Sequence, residues 1–323
     1  MSGLTRYMIA RIIAIVPMLI AISMLLFVLM NLAPGGPEMV ILGDLERYSP
    51  SLVEHVREKF ALDQPLHVRY WMWLSNAARG DFGVSTTGAG GVEVMTLITE
   101  RFGATIQLTG FALFLSVLIG IPLGIVSAVK PYSTTDKVAT VGAFVGICFP
   151  TFWLGVMLIL LFSVGLGWLP TSGIAPPGMR SMFGPRFMHA VLPTFTLAAV
   201  QIGRYMRFTR SSIIEVMGED YIRTARAKGV SEKSVLLKHA LRNSMISLIT
   251  VVGLSLPFLV SGSLMVEMVF AWPGLGRLAI MSINRRDYAV IMGIQLVIAF
   301  AVLLANILVD LLYAALDPRI SYN

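Results

Sequence analysis

Between two arginines runs Arg186-Phe187-Met188-His189-Ala190-Val191-Leu192-Pro193-Thr194-Phe195-Thr196-Leu197-Ala198-Ala199-Val200-Gln201-Ile202-Gly203-Arg204. Its 17 interior residues carry no charge. They include Pro193, and they fall short of the roughly 20 residues that a helix needs to cross a hydrocarbon core of about 30 Å. Whether this stretch crosses decides the architecture. If it does, the chain crosses six times and the basic segment 204–242 lies on the side of the N-terminus. If it does not, that segment lies opposite.

That the chain occupies a bilayer follows from composition. Over 323 residues it is 56% hydrophobic and 13% charged, with a mean hydropathy of +0.78. An average soluble domain is about 45–50% apolar and about 25% charged. Too few polar residues remain to cover a water-facing surface, and disorder is excluded by the same numbers. The single cysteine, Cys148, leaves no disulfide framework and no cysteine-based metal site within one chain. It reads as a small buried hydrophobe. The four histidines are scattered. The net charge of +7 would suit nucleic acid in a soluble protein, but in a membrane protein basic residues first mark cytoplasmic loops.

Charge-free windows place the other spans at 12–30, 104–129, 243–266 and 288–309. The stretch 138–179 has no charge either, yet Met157-Leu158-Ile159-Leu160-Leu161 offers no turn at its middle. It therefore predicts one span over 138–164, followed by a loop rich in glycine and proline through Gly165, Gly167, Pro170, Pro176 and Pro177. Pro17, Pro122, Pro150, Pro193 and Pro257 fall inside spans, where they can kink a helix or serve static packing. The first apolar segment is too long for a signal-peptide core, and Asn31-Leu32-Ala33-Pro34-Gly35-Gly36-Pro37 is no small-residue cleavage site, so it reads as a retained span.

Counting cations then argues for the fourth span. With six spans and an inside N-terminus, 14 of the 25 Lys and Arg face inward and 11 outward. Six of those 11 sit in the long segment 31–103, which barely counts in the charge rule, so the effective ratio is 14 to 5. That segment holds nine acidic residues and the aromatic group Tyr70, Trp71 and Trp73, as expected of a small cap on the outer face.

The segment 204–242 carries nine basic and four acidic residues. Within it, Glu219-Asp220-Tyr221-Ile222-Arg223-Thr224-Ala225-Arg226-Ala227-Lys228-Gly229 predicts a helix of about three turns. Its acids lie at the N-terminal end and its cations towards the C-terminal end, with Gly229 placed as a left-handed cap and Ser231 as the next N-cap. Composition alone leaves two uses open. One is a solvated basic loop near anionic headgroups; the other is a helix whose small residues Ala225, Ala227 and Gly229 let a cytoplasmic partner approach closely.

The same run, with Lys238-His239-Ala240-Leu241-Arg242-Asn243, resembles the cytoplasmic loop of permease subunits in binding-protein-dependent ABC importers. It is most similar to the B-type subunit of the dipeptide, oligopeptide and nickel group. The broad family pattern is Glu-Ala-Ala with a glycine four positions after its last alanine. Here the triplet is Arg223-Thr224-Ala225, and the proline expected further on is replaced by Arg242, departures that resemble the peptide branch. Leu62-Asp63-Gln64-Pro65-Leu66, Arg79-Gly80-Asp81-Phe82-Gly83-Val84-Ser85, the run 267–277 from Glu267 through Trp272-Pro273 to Arg277, Arg286-Asp287-Tyr288 and the terminal run 310–319 extend the likeness along the whole chain.

The resemblance implies an all-α polytopic membrane protein with six transmembrane helices in the type I ABC importer permease fold. It implies an N-terminus and first helix in 1–30, an extracytoplasmic loop region in 31–103, a transmembrane core in 104–313 containing the coupling helix 219–229, and a cytoplasmic tail in 314–323. It places the chain in a bacterial or archaeal cytoplasmic membrane with both termini inside. The implied partners are a C-type permease subunit, two ATPase subunits and an extracytoplasmic substrate-binding protein, within the lipid bilayer and without nucleic acid. The cargo would be a di- or oligopeptide, with nickel complexes, glutathione or oligosaccharides as alternatives.

No G-x-x-x-x-G-K-[ST] loop occurs, so the chain has no P-loop of its own, and it is read as no enzyme by itself. It is expected to hold no cofactor, with ATP and Mg bound by the partner ATPases. An ion-coupled secondary transporter would want acids near the bilayer midplane, whereas Glu267 and Asp310 sit at span ends. Glu267, Gln107 and Gln201 are candidate pathway or gate residues. Set against that role, a carboxylate at a span end can snorkel to the interface, and a buried amide more often bridges helices.

Overall fold

The computed structural model describes residues 3–32, 63–86, 91–176, 178–179 and 182–316. Those residues form helices: α1 Gly3–Leu32, α2 Leu66–Ala77, α3 Val94–Val129, α4 Thr134–Cys148 and α5 Thr151–Leu158, which continues as a π-helical turn, Ile159–Gly165. After a loop come α6 Phe183–Met217, α7 Asp220–Ala227 and α8 Glu232–Ser234, the last passing through a π-helical turn, Val235–Ala240, into α9 Leu241–Gly253. The chain continues with α10 Leu256–Ser261, α11 Leu264–Val269, α12 Leu275–Asn284 and α13 Tyr288–Leu316. Most of 31–62, the proposed start of the outer cap, and the tail 317–323 lie outside the described residues.

Among the described residues three helical stretches, Tyr7–Leu32, Val94–Val129 and Tyr288–Leu311, are long and apolar enough to cross a membrane. Two bent pairs raise the number to as many as five. One pair is α4 with the helix Thr151–Gly165, turned by 106°. The single span expected over 138–164 is therefore broken. The break falls at Phe149-Pro150, ahead of the apolar middle in which a turn was sought, because Pro150 has no N–H to continue α4 and instead opens α5 as its N-cap. Cys148, expected to be buried, is exposed, since it stands at this corner. The second pair, Glu232–Met245 with Leu248–Ser261, is bent by 42° within the first turns of the span expected over 243–266. Further along that span α9 and α10 part at Leu254-Ser255, with Pro257 in the first turn of α10. Pro17, Pro122 and Pro193 lie inside continuous helices.

The stretch 187–203 lies wholly within α6, a helix of 35 residues that falls outside those candidates. Its lower apolarity has a physical source. Ala190, Leu192, Thr194, Thr196, Gln201 and Tyr205 are all buried, so many of its side chains meet neighbouring helices in place of lipid. Thr196 Oγ1 donates to Leu192 O at 2.8 Å within α6, and the Tyr205 hydroxyl donates to Ser255 Oγ at 2.7 Å.

The described residues fall into two compact units. One lies within Met1–Ala104 and Gly274–Ile307. Its core joins Phe82, Val94 and Ile98 to Leu275, Val290 and Ile294. Gly293 permits this contact, since a Cβ there would stand 2.5 Å from Val94 Cγ1. Tyr70 of α2 is buried, meets Phe27 edge-on and shares a 2.9 Å hydrogen bond with Ser23, fastening α2 to α1. Trp71, from the same aromatic group, is exposed. The buried Asp287 carboxylate accepts from Ser85 Oγ at 2.5 Å, closing a contact across 202 residues of sequence.

The second unit lies within Thr105–Pro273 and Leu308–Ser321 and is built around α6. Glycines bring its helices close. A Cβ on Gly124 of α3 would stand 2.5 Å from Thr209 Cβ and 2.6 Å from Met206 O, and one on Gly146 of α4 would stand 2.7 Å from Ala199 O. From the α6 side, a Cβ on Gly203 would stand 2.6 Å from Ala143 O. The pairs 146–199 and 143–203 run antiparallel, and the same register brings Asp136 to Arg210. There the guanidinium donates from Nε and Nη2 to the two carboxylate oxygens, each at 2.8 Å. Tyr132 N–H and Thr140 Oγ1 also donate to this carboxylate.

Candidate functional site

The predicted basic-segment helix forms as α7, with Glu219 at its N-cap and Lys228 at its C-cap. It has eight residues, about two turns, one fewer than expected. Gly229 has φ +79°, the left-handed cap anticipated from its position. Ser231 occupies the N-cap of α8 with extended backbone but makes no side-chain capping bond.

Two residues, Ile222 and Ala225, are buried and form a small core with Val235 and Ala240, against which Val216, Met217 and Val230 pack. Burying a side chain such as Ile222 contributes roughly 1.5–3 kcal/mol, enough to hold a two-turn helix that would not persist alone. Ala225 was expected to admit a partner, but its small side chain is turned into this internal core. The face left outward carries Tyr221, Arg223, Thr224, Ala227 and Lys228. Arg226 is engaged within the segment, donating to Glu232 at 2.7 Å from Nε and 3.2 Å from Nη2. That carboxylate raises the guanidinium pKa above its ordinary value. Arg223 makes a looser 3.4 Å contact with Asp220, and both are largely exposed. Asn243 donates to the Tyr221 hydroxyl at 2.7 Å, tying α7 to α9.

The other sequence candidates separate. Gln201 is buried and lines a cavity of about 250 Å³ with Thr151, Arg204, Ser255, Phe258 and Ser263. Above Ser255 the Tyr205 hydroxyl donates to its Oγ at 2.7 Å, holding α6 against the α9–α10 break. Gln107 instead accepts from Arg186 Nη2 at 2.5 Å, a bridge between α3 and α6 of the kind buried amides more often make. Glu267 is 0% exposed, which overturns the snorkelling alternative. Its Oε1 accepts from Thr105 Oγ1 at 2.9 Å, and its backbone carbonyl accepts from Trp272 N–H at 2.8 Å. The Ser263 side chain caps α11 at Val266, which sets Glu267 in the first turn.

Beside Glu267, Gly262 has φ +67° and ψ −166°, a region open in practice to glycine alone. A Cβ there would stand 2.9 Å from Thr105 Cγ2 and 3.1 Å from Glu267 Oε1. Gly262→Ala is expected to cost about 1–3 kcal/mol. Thermal unfolding of the purified protein checks this against Gly253→Ala, where the nearest atom is an ordinary contact at 3.7 Å and little change is expected.

The Asp136–Arg210 and Ser85–Asp287 pairs were not foreseen. Each joins residues far apart in sequence, and the hint was an acid beside a charge-free window, at Asp136, and one in a turn before a span, at Asp287.

Against known proteins, the family described as binding-protein-dependent transport system inner membrane component matches residues 120–322, and the corresponding N-terminal membrane component family matches residues 4–109. The oligopeptide transport system permease protein AppB of Bacillus subtilis (strain 168) is 41% identical over 319 residues, 99% of this chain and 100% of that one. The glutathione transport system permease protein GsiC of Escherichia coli (strain K12) is 42% identical over 318 residues, 98% of this chain and 99% of the relative. Among solved structures, an inward facing conformation of the MetNI methionine ABC transporter aligns with a TM-score of 0.55 at 20% identity, covering 69% of this chain and 97% of that one. At that identity the likeness is one of fold.

Proposed function

Because the chain belongs to the binding-protein-dependent transport system inner membrane components, and within them to the B-type permeases of the peptide and nickel group, we propose that it imports di- or oligopeptides handed over by an extracytoplasmic binding protein. Membership already implies a multi-pass inner-membrane protein working with ATPase and binding-protein partners. The finer reading is six spans, with α6 as the fourth. Both termini are cytoplasmic, 31–103 forms the outer loop region, 104–313 the core and 314–323 the inner tail. A C-type subunit supplies the other half of the pathway. Two ATPase subunits bind ATP and Mg, so this chain holds no cofactor and has no catalysis of its own.

The observation that carries the reading is α7. It is a short helix with its apolar side locked into its own loop and its opposite face left to a partner. When ATP closes the ATPase dimer, α7 moves with the groove that holds it. The core formed by Ile222 and Val235 passes that displacement to the helix leading back into the membrane. The spans then alternate between inward and outward exposure, and hydrolysis resets them. Gln201 lines the path. Gln107 and Glu267 hold helices around it. A peptide cargo is favoured over nickel complexes or oligosaccharides because the AppB and GsiC relatives are named for oligopeptide and glutathione transport.

Since Ala225 serves the loop's own core, substitutions there would confuse docking with folding. Arg223→Glu/Lys228→Glu is the cleaner trial, because both side chains are exposed. Membrane insertion is expected to survive while ATP-dependent uptake by the assembled complex falls about tenfold, as befits reversing charges at the rim of an interface. Normal uptake and normal coupling of hydrolysis to substrate would remove the docking assignment. Uptake by this chain alone, driven by a proton or sodium gradient, would replace the importer reading with a secondary transporter.

A further inference from the structure

We propose that the pocket between the start of α4 and the second half of α6 holds the phosphate headgroup of an anionic phospholipid. This cavity of about 450 Å³ is lined by Tyr132, Asp136, Lys137, Val141, Arg207 and Arg210, together with Thr140. Its charges do not cancel. Arg210 neutralises Asp136 through the paired 2.8 Å bonds. Lys137 and Arg207 are exposed and have no ion-pair partner among the described residues, so the pocket keeps two cations beyond its internal pair.

Its position matches a headgroup. On α4 the charge-free stretch begins at Val138, directly after Lys137; on α6 it ends at Gly203, directly before Arg204 and one turn before Arg207. The antiparallel register, which sets 143 beside 203 and 136 beside 210, brings Lys137 and Arg207 to within about two residues of one level, where hydrocarbon gives way to phosphate. Below the cations the surface turns apolar. Arg207 lies over the Phe144 ring at 5.8 Å, and Val138, Val141, Phe144 and Val145 are 67%, 62%, 48% and 48% exposed. A soluble anion would satisfy the cations and leave that stripe bare. A phospholipid places its phosphate between Lys137 and Arg207 and lays an acyl chain along it, as basic pockets between transmembrane helices do on the cytoplasmic side.

The test uses the assembled importer, purified in mild detergent and exchanged into mixed micelles, with retained lipid counted by native mass spectrometry. Wild type is expected to keep phosphatidylglycerol in preference to phosphatidylethanolamine. In K137Q/R207Q, affinity for phosphatidylglycerol is expected to fall about twenty-five-fold, each surface cation contributing about fivefold. Both side chains are exposed, and complex assembly with the ATPases provides the folding control. Equal retention of the two lipids by wild type, or equal phosphatidylglycerol retention by the variant, overturns the proposal. Displacement of phosphatidylglycerol by inorganic phosphate alone would identify a site for soluble anions. A cross-link from position 137 to an ATPase subunit in place of lipid would identify a protein contact. Either result also overturns it. None of these outcomes depends on which solute is imported.

Discussion

Gly124→Leu is expected to remove most of the folded permease from the membrane, while Gly110→Ala on the same helix leaves its level unchanged. At Gly124 even one added carbon meets Thr209 Cβ at 2.5 Å and Met206 O at 2.6 Å, and one of those atoms is backbone. Neither can rotate away, so α3 and α6 must separate. Gly120, one turn earlier, has Ile202 O 2.9 Å from its own would-be Cβ, so the separation cannot be confined to one residue. Overpacking a core typically costs 1–3 kcal/mol for a few methylenes. In a membrane there is no hydrophobic drive to hold helices together at a greater distance, and close packing itself is much of the attraction. Gly110 has nothing within 4 Å of its would-be Cβ, so alanine there adds only helix propensity. Membrane abundance and thermal unfolding of the two variants check the contrast. Equal behaviour would mean that α3 and α6 do not meet as closely as described.

This helix–helix contact also shows how far the sequence could be read. Charge-free windows found α1, α3 and α13, because lipid-facing helices must be apolar along nearly their whole length. They gave a weaker signal for α6 for the opposite reason. Thr196, Tyr205 and Thr209 are buried among other helices, so the helix carries polar groups that lipid would not tolerate. The breaks at Phe149-Pro150 and Leu254-Ser255 were only half legible. Proline marks where a helix can break, but Pro17, Pro122 and Pro193 sit in unbroken helices, and nothing local distinguishes them. The segment around α7 was the most legible part, since capping residues and charge order act within a few positions. Even there the orientation of Ala225 was hidden. It depends on Val235 and Ala240 meeting Ile222, a contact that no periodicity within α7 encodes. Glu267 reads as a terminal carboxylate in sequence and is buried in the fold, because α10, Gly262 and α11 turn the chain back around it.

Arg210→Met is expected to be the second severe lesion, costing about 3–5 kcal/mol, and to be worse than Asp136→Asn. The asymmetry comes from solvent. The Asp136 side chain is 5% exposed and that of Arg210 is 25% exposed. With Arg210 gone, the carboxylate keeps only the Tyr132 N–H and the Thr140 hydroxyl and must stay ionised without a counter-charge or take up a proton. With Asp136 made neutral, the guanidinium can still turn part of itself to water or headgroups, and asparagine retains one acceptor for it. The double variant Asp136→Asn/Arg210→Met removes the orphaned charge and is expected to recover much of the loss. A buried pair adds little over a neutral substitute, whereas half of a pair costs a great deal. Unfolding of the four proteins in denaturant closes the cycle. Additive losses would mean that the two residues act independently. A large favourable coupling would make this pair the clasp that sets the register of α4 on α6, and with it the level at which Lys137 and Arg207 meet the bilayer surface.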